Sequence, residues 1–246
     1  MRVSVVGSSG TFPTRTNPAS GYLIEHGGTR IWCDTGPGTF TALPCDPSLV
    51  EAVFISHRHP DHCSDLFAAY HAWTFVPEPR KAIPLLANGD VLDHLSAFSG
   101  DSRSTAFGDT FELIEVADRA THTVGAVDIE FVEVEHSVPA IGTRWTGDGR
   151  TLFYTGDTGP GEWSQQIGPV DVLLSEAALQ GQRTDADFIH HLNAYEAGEI
   201  ARAARVGRLV LTHIPPYLDS SISVAQAELT FGKPVGLAVA GMQIPV

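Results

Sequence analysis

The chain has 246 residues, 43% of them hydrophobic and 18% charged, a balance that excludes a disordered polymer and suits one folded domain with an ample core. Fifteen basic against 29 acidic residues leave a formal charge of −14 with no lysine/arginine-rich run, which argues against broad nucleic-acid binding. The opening Met1-Arg2-Val3-Ser4-Val5-Val6-Gly7 is too short for a signal-peptide core or a membrane span, and Cys33, Cys45 and Cys63 lack C-x-x-C spacing; a cytoplasmic protein without a disulfide framework is expected.

In chain order, Val3–Val6, Tyr22–Glu25, Arg30–Asp34 and Val53–Ser56 are short β-rich runs bounded by turn residues, and they predict strands of one sheet. Between the first two lies Gly7-Ser8-Ser9-Gly10-Thr11-Phe12-Pro13, a loop that could cradle an anion or serve as a plain turn. Leu66–Phe75 and Val91–Phe98 suit helices flanking a strand at Ile83–Leu86. A second group of strands is predicted at Glu112–Val116, Val127–Val134, Ile141–Trp145, Leu152–Thr155 and Val172–Ser175. Ala194–Val206 carries Glu196 and Glu199 early and Arg202 and Arg205 late, as a helix macrodipole favours. Leu209–Thr212 follows as a strand, Val224–Phe231 as a helix and Val235–Val239 as the last strand. Two runs of strands, each ending in helices, predict two sheets packed together with helices outside.

The strongest chemical signal is His57-Arg58-His59-Pro60-Asp61-His62, directly after Val53-Phe54-Ile55-Ser56. Imidazole nitrogens and carboxylate oxygens are natural ligands of zinc and related ions, and a loop at a strand end can turn several toward one point. Two ions need more donors than this loop holds. His136, Asp157 and His213 each stand just beyond a predicted strand; singly each has a bland reading as a turn or cap residue, and the shared placement argues for more.

These motifs resemble the metallo-β-lactamase superfamily. The resemblance implies a four-layer αβ/βα sandwich, an α/β fold, in which His57, His59 and His136 hold one divalent ion, Asp61, His62 and His213 the other, and Asp157 bridges them. Zinc is the implied metal, with manganese or iron also compatible with the donors. Gly7–Pro13, Ser20-Gly21-Tyr22-Leu23, the run His191-Leu192-Asn193-Ala194-Tyr195-Glu196-Ala197-Gly198 and Thr212-His213-Ile214-Pro215-Pro216 are closer to its phosphodiesterase branch, which includes ribonuclease Z and compact bacterial cyclic-nucleotide phosphodiesterases. The implied chemistry is inline attack by a metal-bound hydroxide on phosphorus. Asp61 would orient the nucleophile or accept its proton, and His191 would stabilise the transition state or protonate the leaving oxygen. Glu176 would fix the tautomer of His191, with a surface carboxylate as the alternative; His190 is a rival for the catalytic role. Asp34 is expected to support the metal loop by hydrogen bonds.

Only a strand and turn fit between His136 and Asp157, whereas long ribonuclease Z sequences insert an RNA-binding arm there. A small phosphodiester is therefore the expected substrate ahead of transfer RNA, with a lactone or thioester as a further alternative. No membrane partner is expected, and the resemblance implies a homodimer. Phe12, Tyr70, Trp73, Phe75 and Trp145 could stack on a nucleobase or simply pack a core.

Overall fold

The computed structural model of the chain describes residues 1–100, 102–184 and 188–246. The first half forms strands β1 (Arg2–Gly7), β2 (Gly21–His26) and β3 (Thr29–Cys33), helix α1 (Thr39–Ala42), strand β4 (Ala52–Ile55), helices α2 (Pro60–Cys63) and α3 (Leu66–Thr74), strand β5 (Ile83–Ala87), helix α4 (Gly89–Phe98) and strand β6 (Phe111–Glu115). Strands β7 (Thr121–Val124), β8 (Val127–Val134), β9 (Ala140–Gly147), β10 (Arg150–Tyr154) and β11 (Val172–Glu176) follow. Helix α5 (Ala194–Ala203), strand β12 (Arg208–Thr212), helix α6 (Ser220–Phe231) and strands β13 (Gly236–Leu237) and β14 (Gln243–Pro245) complete it.

The strands make two seven-stranded sheets, ordered β14-β1-β2-β3-β4-β5-β6 and β13-β12-β11-β10-β9-β8-β7. Their inner faces share a core that includes Tyr22, Phe54, Phe131, Trp145 and Tyr154. Leu66, Trp73, Val91 and Leu95 of α3 and α4 pack outside the first sheet, and Ala194, Ala197, Ala201 and Ala227 of α5 and α6 outside the second. The layers run helix, sheet, sheet, helix, as the αβ/βα sandwich requires.

Pairing type explains the sequence patterns. Strands β3 to β6 and β10 to β13 are parallel, and central parallel strands covered on both faces read as continuous apolar runs, as in Ala52-Val53-Phe54-Ile55 and Val172-Leu173-Leu174. Antiparallel β8 instead alternates at first, burying Val127, Ile129 and Phe131 while Asp128 and Glu130 face outward. On α5, small residues permit a close helix pair: a Cβ on Gly198 would lie 2.5 Å from the Ala227 carbonyl oxygen.

Three expectations need correction. Val235–Val239 narrows to β13, and it is not the last strand: β14 crosses back to pair antiparallel with β1 of the other sheet, Val3 opposite Ile244. A three-residue strand offers too little alternation to be read from sequence, and β7, whose Thr121, His122 and Thr123 are polar, escaped for want of an apolar run. The helix expected to reach Val206 stops at Ala203, and Arg205 turns the chain out at φ 57°. Trp145 and Trp73 are buried in the core layers, so neither is a nucleobase platform; Tyr70 is half-buried against the outer layer, and Phe12 and Phe75 are exposed.

Candidate metal centre

Strands β4, β10, β11 and β12 end at one rim of the sandwich. Strand β8 points the same way, because β9 is antiparallel to both β8 and β10. Carboxyl ends of parallel strands are where open α/β sheets place their ligands, and here His57, Asp157, Glu176 and His213 emerge at or just beyond such ends, with His136 beyond the carboxyl end of antiparallel β8.

The local chain explains how the first loop delivers its donors. Ser56 and His57 are fully buried behind β4, and Pro60 at the first position of α2 turns the chain so that Asp61 and His62 fall in one helical turn. Thr35 N–H donates to the His62 carbonyl at 2.6 Å. Beside it, a Cβ on Gly36 would stand 2.1 Å from the Asp61 carbonyl oxygen, an approach that only glycine allows. Gly36→Ala is therefore expected to push on the loop and cost at least about 1–3 kcal/mol, read as a lower melting temperature of the metal-free protein. An unchanged melting temperature would contradict the close packing.

The expected donors converge as two sets sharing Asp157: His57, His59, His136 and Asp157, and Asp61, His62, Asp157 and His213. In the first, His59 Nδ1 lies 3.0 Å from His57 Nε2 and 3.1 Å from His136 Nε2. In the second, His62 Nε2 is 3.2 Å from Asp157 Oδ1, and His213 Nε2 is 3.2 Å from Asp61 Oδ2 and 3.4 Å from Asp157 Oδ2. The far sides of the rings have partners that fix their orientation: His136 Nδ1 donates to the His190 carbonyl and His62 Nδ1 to Asp34, both at 2.8 Å, so each Nε2 faces inward.

The residues fit divalent cations on their own chemistry. His62 Nε2 and Asp157 Oδ1 are buried without a well-formed hydrogen bond, the condition a bound cation would relieve. Burial holds His57 well below the ordinary histidine range, lowers His59, and pushes His136 down to about 4, so their rings are neutral at pH 7, the form in which imidazole can take a cation. Burial opposes ionisation of Asp157, but His213 and His62 outweigh it and hold the carboxyl well below its usual range. Burial also opposes a charge on His62, yet Asp157, Asp34 and Asp61 together raise it.

Asp34 supports this loop as expected. Its carboxylate, wholly buried, accepts Ser56 N–H at 2.7 Å, Ser56 Oγ at 2.8 Å, His62 Nδ1 at 2.8 Å and Tyr154 Oη at 2.7 Å. Tyr154 was missed in the sequence, where it reads only as one more apolar strand residue. The Gly7–Pro13 loop follows the turn reading rather than the anion cradle. Its N–H groups from Ser8 to Phe12 are spent on Asn17 Oδ1, Pro18 O, Ile214 O, His213 Nε2 and Gly10 O, while Ser8 O receives His213 N–H and secures His213 at its φ of 54°.

Glu176 is no surface carboxylate. Fully buried at the end of β11, it accepts Thr158 N–H, Ala178 N–H and, at 2.8 Å, His191 Nδ1. The His191 ring lies 5.1 Å from that of His136 and 5.8 Å from that of His213, whereas the His190 ring lies 6.3 Å from His136 and turns toward Phe188. Among the described residues no helix is long and apolar enough to cross a membrane.

Residues 29–214 match the family described as beta-lactamase superfamily domain. An uncharacterized protein of Mycobacterium tuberculosis is 34% identical across 97% of this chain and 90% of its own length. The probable metallo-hydrolase YhfI of Bacillus subtilis is 26% identical over 98% of both chains, and its crystal structure covers 99% of this chain and 98% of its own with a TM-score of 0.90. A ribonuclease Z of Archaeoglobus fulgidus is 25% identical over 87% of each. Since the family match spans most of the chain and the sandwich agrees with that of YhfI, the chain is a hydrolase of the β-lactamase superfamily, in its ribonuclease Z-like branch.

Proposed function

We propose that the protein hydrolyses a phosphodiester, with a small or cyclic nucleotide as its preferred substrate. The observation that carries this reading is the Glu176–His191 pair standing beside the two ligand sets without belonging to the four-donor clusters. Two divalent ions, zinc in this proposal, would be held by His57, His59 and His136 and by Asp61, His62 and His213 across Asp157; bound there, they would lower the pKa of water and neutralise phosphoryl charge.

The protein's own groups supply the proton traffic. Burial disfavours a charged His191 ring, but Glu176, by its charge and its hydrogen bond, raises it to about 9 in the metal-free protein, which favours the doubly protonated ring. Nδ1–H is committed to Glu176, and the Nε2 proton is available. As the water oxygen forms its bond to phosphorus and the bond to the leaving oxygen breaks, that proton passes to the leaving oxygen. Asp61, with one oxygen 3.2 Å from His213 Nε2, would orient the attacking water or accept its proton.

A lactone or thioester hydrolase would use the same ligands but leaves the Glu176–His191 pair without an evident task. Transfer RNA is disfavoured by the −14 charge and by the tight β9–β10 hairpin, turned at Asp148-Gly149, where long ribonuclease Z sequences insert a projecting arm. A homodimer belongs to the same proposal, and a sole species near 26.3 kDa in sedimentation would remove it.

Cyclic AMP, a phosphodiester dye, precursor transfer RNA and a lactone should be assayed side by side. His191→Ala is expected to lose about 10²–10⁴-fold on cyclic AMP while retaining its metal content. Efficient transfer-RNA cleavage would select the endonuclease reading, and turnover of the lactone alone would overturn phosphoryl transfer.

A further inference from the structure

Residues 188–191 carry two tasks at once. The His190 carbonyl takes the Nδ1 proton of His136 at 2.8 Å, which turns His136 Nε2 toward His59, and the next residue is His191. This segment belongs to no helix or strand, so something else must fix it. Arg183 donates to the Phe188 carbonyl at 3.3 Å and to the His191 carbonyl at 2.6 Å. Its guanidinium is gripped in turn by both oxygens of Glu196. Glu196 also closes the capping box of α5 with Asn193, so the clamp is anchored to a helix whose Ala194, Ala197 and Ala201 are buried. On the opposite side Gly159 makes room for the segment: a Cβ there would lie 1.9 Å from the Ile189 carbonyl oxygen.

We propose that Arg183 is a positioning residue that, through residues 188–191, sets both the proton-donating ring of His191 and the orientation of His136. The half concerning His191 rests on the phosphodiesterase reading; the half concerning His136 rests on geometry at the first ligand set. Arginine suits the task because its planar fork engages a carboxylate at two points while its remaining N–H groups reach two carbonyls. A lysine keeps the charge and loses the fork.

The test uses two diesters of one nucleotide, thymidine 5′-phenyl phosphate and thymidine 5′-(4-nitrophenyl) phosphate. A 4-nitrophenolate departs without a proton, whereas the phenyl ester benefits from an acid. Arg183→Ala and Arg183→Lys are each expected to lower kcat on the phenyl ester by about 10–100-fold, with a much smaller effect on the nitrophenyl ester and little change in KM. A zinc-competition titration with a chelator should show at least one ion held about 10-fold more weakly, the usual scale for removing a group that orients a ligand. Glu196→Gln should reproduce both effects, and the double variant should be no worse than either single one, because the two act as a unit.

Equal losses on the two esters with unchanged metal affinity would overturn the proposal and leave Arg183 a general support of the fold. His191→Ala separates the two levels. If that variant discriminates between the esters and Arg183→Ala does not, the clamp is refuted while the acid survives. If neither variant nor the wild type distinguishes them, the acid role itself falls, and unaltered chelator competition in Arg183→Ala would then refute the remaining half.

Discussion

Asp157→Ala is expected to drop hydrolysis of every diester below about one thousandth of wild type and to strip the protein of most of its metal. The residue belongs to both ligand sets: Oδ2 lies 3.8 Å from His57 Nε2 and 3.4 Å from His213 Nε2, and Oδ1 lies 3.2 Å from His62 Nε2. Removing a single preorganised electrostatic group in an active site typically costs about 10²–10³-fold, and here the loss would fall on two cations together. Asp61→Ala is the matched control, because Asp61 stands in only one set and should spare the other ion. Metal analysis after dialysis, set beside turnover of the nitrophenyl diester, checks this. Two retained ions in Asp157→Ala, or more than a tenth of wild-type activity, would remove Asp157 from the bridging role. Asp157→Asn preserves the shape of the side chain and serves where the alanine variant does not fold.

The largest expected effect on stability belongs to Asp34. Four donors end on its buried carboxylate: the N–H and hydroxyl of Ser56, the Nδ1 of His62 and the hydroxyl of Tyr154. Alanine at this position takes the acceptor from all four, the Ser56 hydroxyl keeping another neighbour in His57 Nδ1 at 3.1 Å, and breaking a buried network that contains a charged pair costs roughly 3–5 kcal/mol. For a chain of this length that corresponds to a fall of about 10 °C in melting temperature. Measured on metal-free protein, the result is independent of catalysis. Tyr154→Phe deletes one donor and leaves the other three in place, so its cost should be nearer 1 kcal/mol. A melting curve for Asp34→Ala indistinguishable from wild type would mean that the network contributes nothing net.

The same residues explain how His62 differs from its neighbours. His57, His59 and His136 are neutral mainly because burial penalises their charged forms. His62 is as fully buried as His57 but faces Asp157, Asp34 and Asp61, and their combined field raises it. A cation taking up the second ligand set must displace the proton on His62 Nε2, so its uptake should release more acid than uptake at the first set.

Local sequence determined a good deal of this protein. The spacing within His57-Arg58-His59-Pro60-Asp61-His62 confines four donors to one strand exit and one proline-started turn, and such short-range geometry needs no partner. The apolar runs of β4, β11 and β12 reveal strands covered on both faces because burial on both sides removes polar positions. Asp34 was legible as a support because it follows a strand beside the metal loop.

Tertiary structure decided the rest. Only the sheet ladders carry His136, Asp157 and His213 to the same rim, since register between distant strands depends on pairing that no short window contains. Burial made Trp145 a core residue and turned Glu176 away from solvent and toward His191, while the N–H groups of Ser8 to Phe12 were taken up by protein acceptors, one of them His213. Arg183 carried no motif at all. A clamp made of backbone carbonyls and one carboxylate depends on where the chain returns in space, and carbonyl oxygens are the one functional group that every residue presents alike.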